Sequence, residues 1–355
     1  MHDACGRDEL ADIHFARQGR AGIITLDRQH ALNAVSGDML DALAAQLDLW
    51  EKDADVELVV VRAAPGRAFS AGGDIRHLYE SIRAGQPDLD FFAREYRLNV
   101  RIAEYPKPYV ALIDGIVMGG GVGVSFHGSH VVVGPDARFA MPEVGIGFFP
   151  DVGASYLLSR IGGEIGLYLG LTGSRIGPGG LLWSGLATHG METGQQDALV
   201  DGLATQGLAA LDKAQATFVP GDMATAQLAI RDAFGSAGVP TIMRRLSELA
   251  PDNDVARLAL ERMQAMAPLS LAIAYRQIRE GEGLSLRDCM AMEYRIVSRV
   301  LAAADFAEGI RASVIDKDGA PQWSPATLAL VDEAMVSAVF AALPTGEGLW
   351  EGREA

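Results

Sequence analysis

Glu143 and Asp151 lie in a stretch that is otherwise apolar and broken by glycines, running from Phe139-Ala140-Met141-Pro142-Glu143 to Phe149-Pro150-Asp151-Val152-Gly153. Burying a carboxylate without a partner is costly, so acids in such a setting are the first candidates for chemistry. Upstream, Met118-Gly119-Gly120-Gly121-Val122-Gly123 and Phe69-Ser70-Ala71-Gly72-Gly73-Asp74 can present backbone N–H groups with no side chain in the way. Acids combined with bare amides suit acyl chemistry, in which paired amides hold an oxygen that gains negative charge.

Each element also has a plainer reading. The glycines at 119–121 follow an expected strand and precede the apolar, helix-prone residues 122–127, so they serve either as half of an oxyanion hole or as a close helix–strand contact. Ala71-Gly72-Gly73-Asp74 offers a second amide, and it also fits an ordinary strand-to-helix turn capped by Asp74. For Glu143 the plainer role is pairing with an arginine; for Asp151 it is capping a helix over 152–160. No GxGxxG follows the first strand and no GxxxxGK[ST] occurs. Ser125 in Gly123-Val124-Ser125-Phe126-His127 fails GxSxG because His holds the last position. His127, His130 and His189 are isolated along the chain and receive no catalytic role.

The elements that must position these groups alternate. Apolar β-branched runs predict strands over 22–27, 57–62, 108–114 and 130–133; helical periodicity predicts helices over 36–52, with Ser36 as N-cap, and over 89–105. The first half is therefore α/β. Amphipathic helical patterns over 223–234, 255–266, 269–280 and 284–301 dominate the second half. Val219-Pro220-Gly221-Asp222 is a turn-rich break, which sets the expected division at 1–218 and 219–355.

Bulk properties narrow the partners. With 355 residues, 49% hydrophobic, the chain has ample material for a core. Thirty Lys and Arg against forty-six Asp and Glu give a formal charge of −16, which argues against nucleic acid and makes any anionic ligand a matter of local basic groups. No apolar run is long enough for a bilayer, and Met1-His2-Asp3-Ala4-Cys5 lacks the look of a signal peptide, so a cytoplasmic enzyme acting on a small molecule is expected. Cys5 and Cys289 have no CxxC or paired Cys/His spacing and the seven histidines do not cluster, so no metal site is expected.

Several motifs recur together, in order and with matching spacing. Thr25-Leu26-Asp27-Arg28 with Ala31-Leu32-Asn33-Ala34, residues 68–75, the glycines from 115 to 121 and Met141-Pro142-Glu143 resemble the crotonase, or enoyl-CoA hydratase/isomerase, superfamily. The resemblance covers roughly residues 12–340 and implies a spiral of ββα turns with a mainly α-helical C-terminal half. It also implies that the fold binds an acyl-CoA whose thioester carbonyl is polarised by two amides, matched here by Gly73 and Gly120. Of the two glutamates used by hydratases, one is matched by Glu143 and the other falls on Gly123, while Asp151 stands where hydratases carry glycine. That combination resembles the thioester-hydrolysing branch. Residues 92–99, Leu186-Ala187-Thr188-His189, Met292-Glu293-Tyr294-Arg295 and the tail from Asp305-Phe306 to Trp323 resemble it too.

The implied activity is hydrolysis of a short 3-hydroxyacyl-CoA, foremost 3-hydroxyisobutyryl-CoA. The alternatives are an enoyl-CoA hydratase/isomerase-type lyase and a noncatalytic acyl-CoA-binding protein. Glu143, Asp151, Gly73 and Gly120 are the expected catalytic groups. Glu95, Ala71 and Asp74, with Arg28, His30 and Ala31 toward the nucleotide end, are the expected substrate contacts, although Arg28 also reads as an exposed turn residue. No cofactor is expected, because CoA arrives with the substrate. A homo-oligomer is a further expectation.

Overall fold

The computed structural model describes residues 12–351, the side chain of Asp222 apart, so the terminal residues Met1 and Cys5 weighed above lie outside it. The spiral turns are visible in strand order. Strands β1 (Ile13–Gln18) and β2 (Ala21–Leu26) form an antiparallel hairpin, followed by α1 (Gly37–Lys52). Each of the next three turns gives one strand to a large sheet and the next strand to a small one. The pairs are β3 (Leu58–Ala63) with β4 (Ala68–Ser70), β5 (Tyr109–Ile113) with β6 (Ile116–Met118), and β7 (His130–Val133) with β8 (Arg138–Ala140). Between them come α2 (Ile75–Arg83), α3 (Leu89–Ala103) and the single turn α4 (Gly120–Gly123). The short β9 (His189–Gly190) completes the large sheet, whose order is β1-β2-β3-β5-β7-β9; the small sheet is β4-β6-β8. From β2 onward every pairing in both sheets is parallel.

Parallel strands are covered on both faces, which is why they read as unbroken apolar runs rather than as alternation. In β3, Val59 and Val61 enter the main core while Leu58 and Val60 enter a second cluster beneath α8 (Gln196–Gln206). The helices α5 (Ala154–Ser159), α6 (Ile165–Thr172) and α7 (Pro178–Trp183) precede α8. After it the described chain is helical: α9 (Asp222–Phe234), α10 (Val239–Leu249), α11 (Asp254–Ala265), α12 (Pro268–Gly281), α13 (Leu286–Val300), α14 (Ala304–Ile310) and α15 (Glu333–Phe340). Side chains from Ile13 to Leu349 belong to one continuous core, so the C-terminal helices pack onto the spiral. Among the described residues no helix is long and apolar enough to cross a membrane.

The predicted elements recur with small shifts at their ends. Ser36 caps α1 by accepting from the Met39 N–H, and Asp74 caps α2 by accepting from His77. Two expectations need correction. The helix expected over 122–127 shrinks to the one turn of α4, and Asp151 is not a helix cap: α5 begins after Gly153, and no side chain caps it.

Candidate active site

The strand-to-helix turns after β4 and β6 meet. Gly72 (φ 121°) and Gly119 (φ 44°, ψ −124°) take backbone conformations that a Cβ would oppose. They turn the following N–H groups, those of Gly73 and Gly120, toward one point. Among the described residues neither N–H has a hydrogen-bond partner. A methyl group built on Gly120 would lie 3.2 Å from the Gly73 nitrogen and 2.5 Å from Glu95 Oε1, and one built on Gly119 would lie 3.3 Å from Glu143 Oε1. Two bare donors and two carboxylates therefore share a few ångströms.

These groups line a cavity of about 210 Å³ together with Asp151, Ala71 and the apolar Phe91, Phe92 and Phe148. Phe306 of α14, with Ser313 and Val314 of the π-helical turn that follows it, closes the cavity from the C-terminal half. Phe148 ties the two halves together, its ring 5.7 Å from that of Phe92 and 4.5 Å from that of Phe306.

Glu95, Glu143 and Asp151 are all buried, at 2%, 7% and 5% exposure, and no Lys, Arg or His is among the described residues of the lining. Burial, followed by the charge of Asp151, pushes the Glu95 and Glu143 carboxyls well above the usual range. Burial also raises Asp151, to about 7, against the opposing effect of the Tyr96 hydroxyl, which donates to Asp151 Oδ2 at 2.9 Å. Among the described residues Glu95 Oε1 and Glu143 Oε2 have no partner. The charge of Asp151 acts on both glutamates, so the titrations of these acids are linked.

The backbone on both sides of Asp151 is gripped by side chains from three places. Gln277 of α12 donates to the Pro150 carbonyl, and His127 Nε2–H donates to the Val152 carbonyl at 2.7 Å. Glu293 of α13, fully buried, accepts from the Gly153 N–H at 2.7 Å, the Ser155 N–H at 2.9 Å and the Ser155 hydroxyl. Val152 sits at φ 51°, where a β-branched residue is strained by roughly 1–3 kcal/mol, and the grip offsets that strain. Burial lowers the His127 imidazole to about 4, so it is neutral and serves as a donor. Burial raises Glu293 to about 8, opposed by its bond from the Ser155 hydroxyl.

Sequence reasoning assigns none of Tyr96, Gln277 or Glu293 to the site. Tyr96 and Glu293 do leave a signal: Glu95, Tyr96 and Asn99 continue the buried stripe begun by Phe92, and Glu293 lies in the stripe of Met290, Ile296 and Val297. A polar residue inside an apolar helical stripe marks a buried partner.

The remaining expected contacts divide. Ala71, Glu95, Glu143, Asp151, Gly73 and Gly120 come together in the cavity. Arg28, His30 and Ala31 stand outside its lining, at the short turn Gln29–Ala31. Arg28 is not the exposed residue of the plainer reading: its side chain is 16% exposed and its guanidinium pairs with Asp74 at 2.8 Å and Asp12 at 3.1 Å. Burial pushes the Asp74 carboxyl up, but the His77 N–H and Arg28 together outweigh it and leave the group below its ordinary value. Parallel pairing brings the His130 and His189 rings to 5.9 Å, a pair that their separation in the sequence does not show.

At Gly123, where hydratases carry their other glutamate, a methyl group would lie 2.7 Å from Asn99 Nδ2 and 2.8 Å from Oδ1. A side chain at 123 would have to displace Asn99, and no acid stands on that turn. Alternating strands in two sheets, paired amides after β4 and β6 and a buried glutamate define a crotonase-fold acyl-CoA site, and the chain belongs to the enoyl-CoA hydratase/isomerase family, whose model matches residues 21–340.

Within that family the chain is similar to the mitochondrial 3-hydroxyisobutyryl-CoA hydrolase of Danio rerio. The two are 40% identical over 94% of this chain and 90% of the relative. The human enzyme of that name is 36% identical, over 96% and 91%. Among solved structures, a carnitinyl-CoA dehydratase from Mycobacterium thermoresistibile matches with TM-score 0.89 and 38% identity, covering 94% of this chain and 97% of that one. An enoyl-CoA hydratase from Rhodobacter sphaeroides matches with TM-score 0.89 and 39% identity, over 94% and 98%.

Proposed function

We propose that this enzyme hydrolyses 3-hydroxyisobutyryl-CoA to 3-hydroxyisobutyrate and CoA, a step of valine breakdown. The observation that carries the reading is the meeting of two unpartnered amides with Glu143 and Asp151 in one buried cavity, while Gly123 leaves its turn without the second acid of a hydratase. The relatives' names supply the acyl group.

In this reading the Gly73 and Gly120 N–H groups hold the thioester oxygen and stabilise the tetrahedral oxyanion, each contributing about 3 kcal/mol. Glu143 attacks the carbonyl carbon to give a mixed anhydride that water opens, or takes a proton from the water that attacks; either route ends in carboxylate and CoA thiol. Asp151, fixed by Tyr96, orients the substrate hydroxyl or the water. The reaction calls on no cofactor, since the thiolate is already a good leaving group. Because Arg28 is spent on two aspartates, the CoA phosphates rely on other basic groups.

The test is thiol release from 3-hydroxyisobutyryl-CoA beside hydration of crotonyl-CoA. Thiol release with negligible hydration is expected. Hydration without release makes the enzyme a lyase, and neither activity makes it a binding protein. The cytoplasmic compartment and self-association belong to the same proposal. Fractionation tests the first against the mitochondrial relatives, and sedimentation tests the second.

A further inference from the structure

His130 opens β7 and His189 opens β9, the strand at the edge of the large sheet. The two strands are parallel, with Val132 opposite His189; since side chains alternate along a strand, His130, Val132 and His189 share one face. The imidazole centroids are 5.9 Å apart with the planes tilted by 38°, and both residues are partly exposed.

Each histidine follows a hydroxyl residue, and the two dipeptides, Ser129-His130 and Thr188-His189, are wired alike. Ser129 Oγ accepts from the Tyr109 N–H at 3.0 Å and donates to the Tyr109 carbonyl at 3.2 Å. Thr188 Oγ1 accepts from the Val131 N–H at 3.0 Å and donates to the Val131 carbonyl at 2.9 Å. Each hydroxyl thus has its one proton directed to a backbone carbonyl and keeps a lone pair for the neighbouring imidazole. His130 Nδ1 lies 2.8 Å from Ser129 Oγ, and His189 Nδ1 lies 2.8 Å from Thr188 Oγ1. A hydroxyl proton held on the carbonyl would put each ring's proton on Nδ1, donated to the hydroxyl, and leave the lone pair on Nε2. Among the described residues neither Nε2 has a partner.

We propose that His130 and His189 form a two-histidine site for a divalent transition metal, of the zinc, nickel or copper type, bound through both Nε2 atoms with water in the remaining positions. Neutral imidazole suits these ions, and a hydrogen bond at the other ring nitrogen is the usual outer support of a metal-binding histidine. The chain's charge of −16 favours cations over its surface. The site stands apart from the acyl-CoA cavity, which neither histidine lines.

Zinc titrated into the full-length, chelator-stripped, untagged chain by calorimetry tests this. A saturable site is expected, weakened at least roughly tenfold by His130→Asn and to a similar extent by His189→Asn, with the thiol-release rate of both variants unchanged. Absence of saturable binding at millimolar zinc overturns the proposal, as does binding that survives either substitution. Ring ¹⁵N spectra of the unmutated chain give a readout independent of the variants. Zinc must shift both Nε2 signals while both Nδ1 protons stay in place, and finding either ring protonated at Nε2 in the metal-free chain also overturns the assignment.

Discussion

The two sides of the acyl-CoA cavity are built by opposite means. The amide side is backbone alone: two glycine turns, after β4 and β6, expose the Gly73 and Gly120 N–H groups simply by having no side chain to hide them. The acid side is a set of buried carboxylates that the native structure tolerates only with support, from Tyr96 on Asp151 and from Gln277, His127 and Glu293 on the backbone around it. An empty buried amide costs about 1–3 kcal/mol, whereas a buried acid costs several kcal/mol whenever it is ionised. The comparison teaches that the amide side is a local property of two turns and the acid side a property of the assembled protein.

The sharpest way to break this comparison is at the glutamate. Glu143→Gln keeps the shape and removes the charge, and is expected to lower the rate of CoA release by about 10²–10⁴-fold with little change in the far-ultraviolet dichroism. A rate within a few-fold of wild type would leave the amides as the whole of the catalysis. On the other side, Gly120→Ala sets a methyl group 3.2 Å from the Gly73 nitrogen, inside the space meant for the oxygen. A fall in kcat on the order of 10²–10³ is expected, as when an oxyanion donor is lost.

The asymmetry also decides what is legible in the sequence. Glycine runs after strands announce themselves locally, so Gly73 and Gly120 can be read together with most of their scaffold, strands β2, β3, β5 and β7 and the longer helices. Strands β4, β6 and β8 escape such a reading because three residues carry no period. Glu143 and Asp151 are visible as acids in apolar surroundings, but their support is not, since Glu293 lies 140 residues from Gly153 and meets it only through the packing of α13 on α5. Arg28 reads as exposed for the same reason, its partners Asp12 and Asp74 being distant in the chain or hidden by the fold. The pairing of His130 with His189 depends on β9 joining β7, which no local pattern announces.

A smaller effect is expected from Glu293→Gln, which leaves one of the donors at Gly153 and Ser155 without its acceptor. An unsatisfied buried donor costs about 1–3 kcal/mol, so the thermal midpoint should fall by several degrees. If Glu293 also positions Asp151, kcat should fall roughly tenfold while KM stays nearly constant, because the reacting groups shift without loss of the apolar contacts that bind the acyl chain. A drop in stability with kcat intact would make Glu293 a purely structural group.

A last effect, on stability, reads the cost of the acid side directly. Asp151 is raised to about 7 in the folded protein, against 3.8 for its ordinary value. Between these values the native state binds more protons than the unfolded chain, so raising the pH through this window costs stability, and the full cost is in place above pH 7. Asp151→Asn removes the titration while keeping an oxygen for the Tyr96 hydroxyl. Its thermal midpoint should match that of the wild type near pH 4 and exceed it increasingly through pH 7 and above, where loss of the Asp151 charge also eases ionisation of Glu95 and Glu143. That lead corresponds to a few kcal/mol at most, because each tenfold change in proton affinity on folding is worth roughly 1.4 kcal/mol. Thermal unfolding of both proteins across this range measures it. A lead that does not change with pH would mean that the assembled protein carries Asp151 without penalty, and the contrast between the two sides of the cavity would then rest on Glu95 and Glu143 alone.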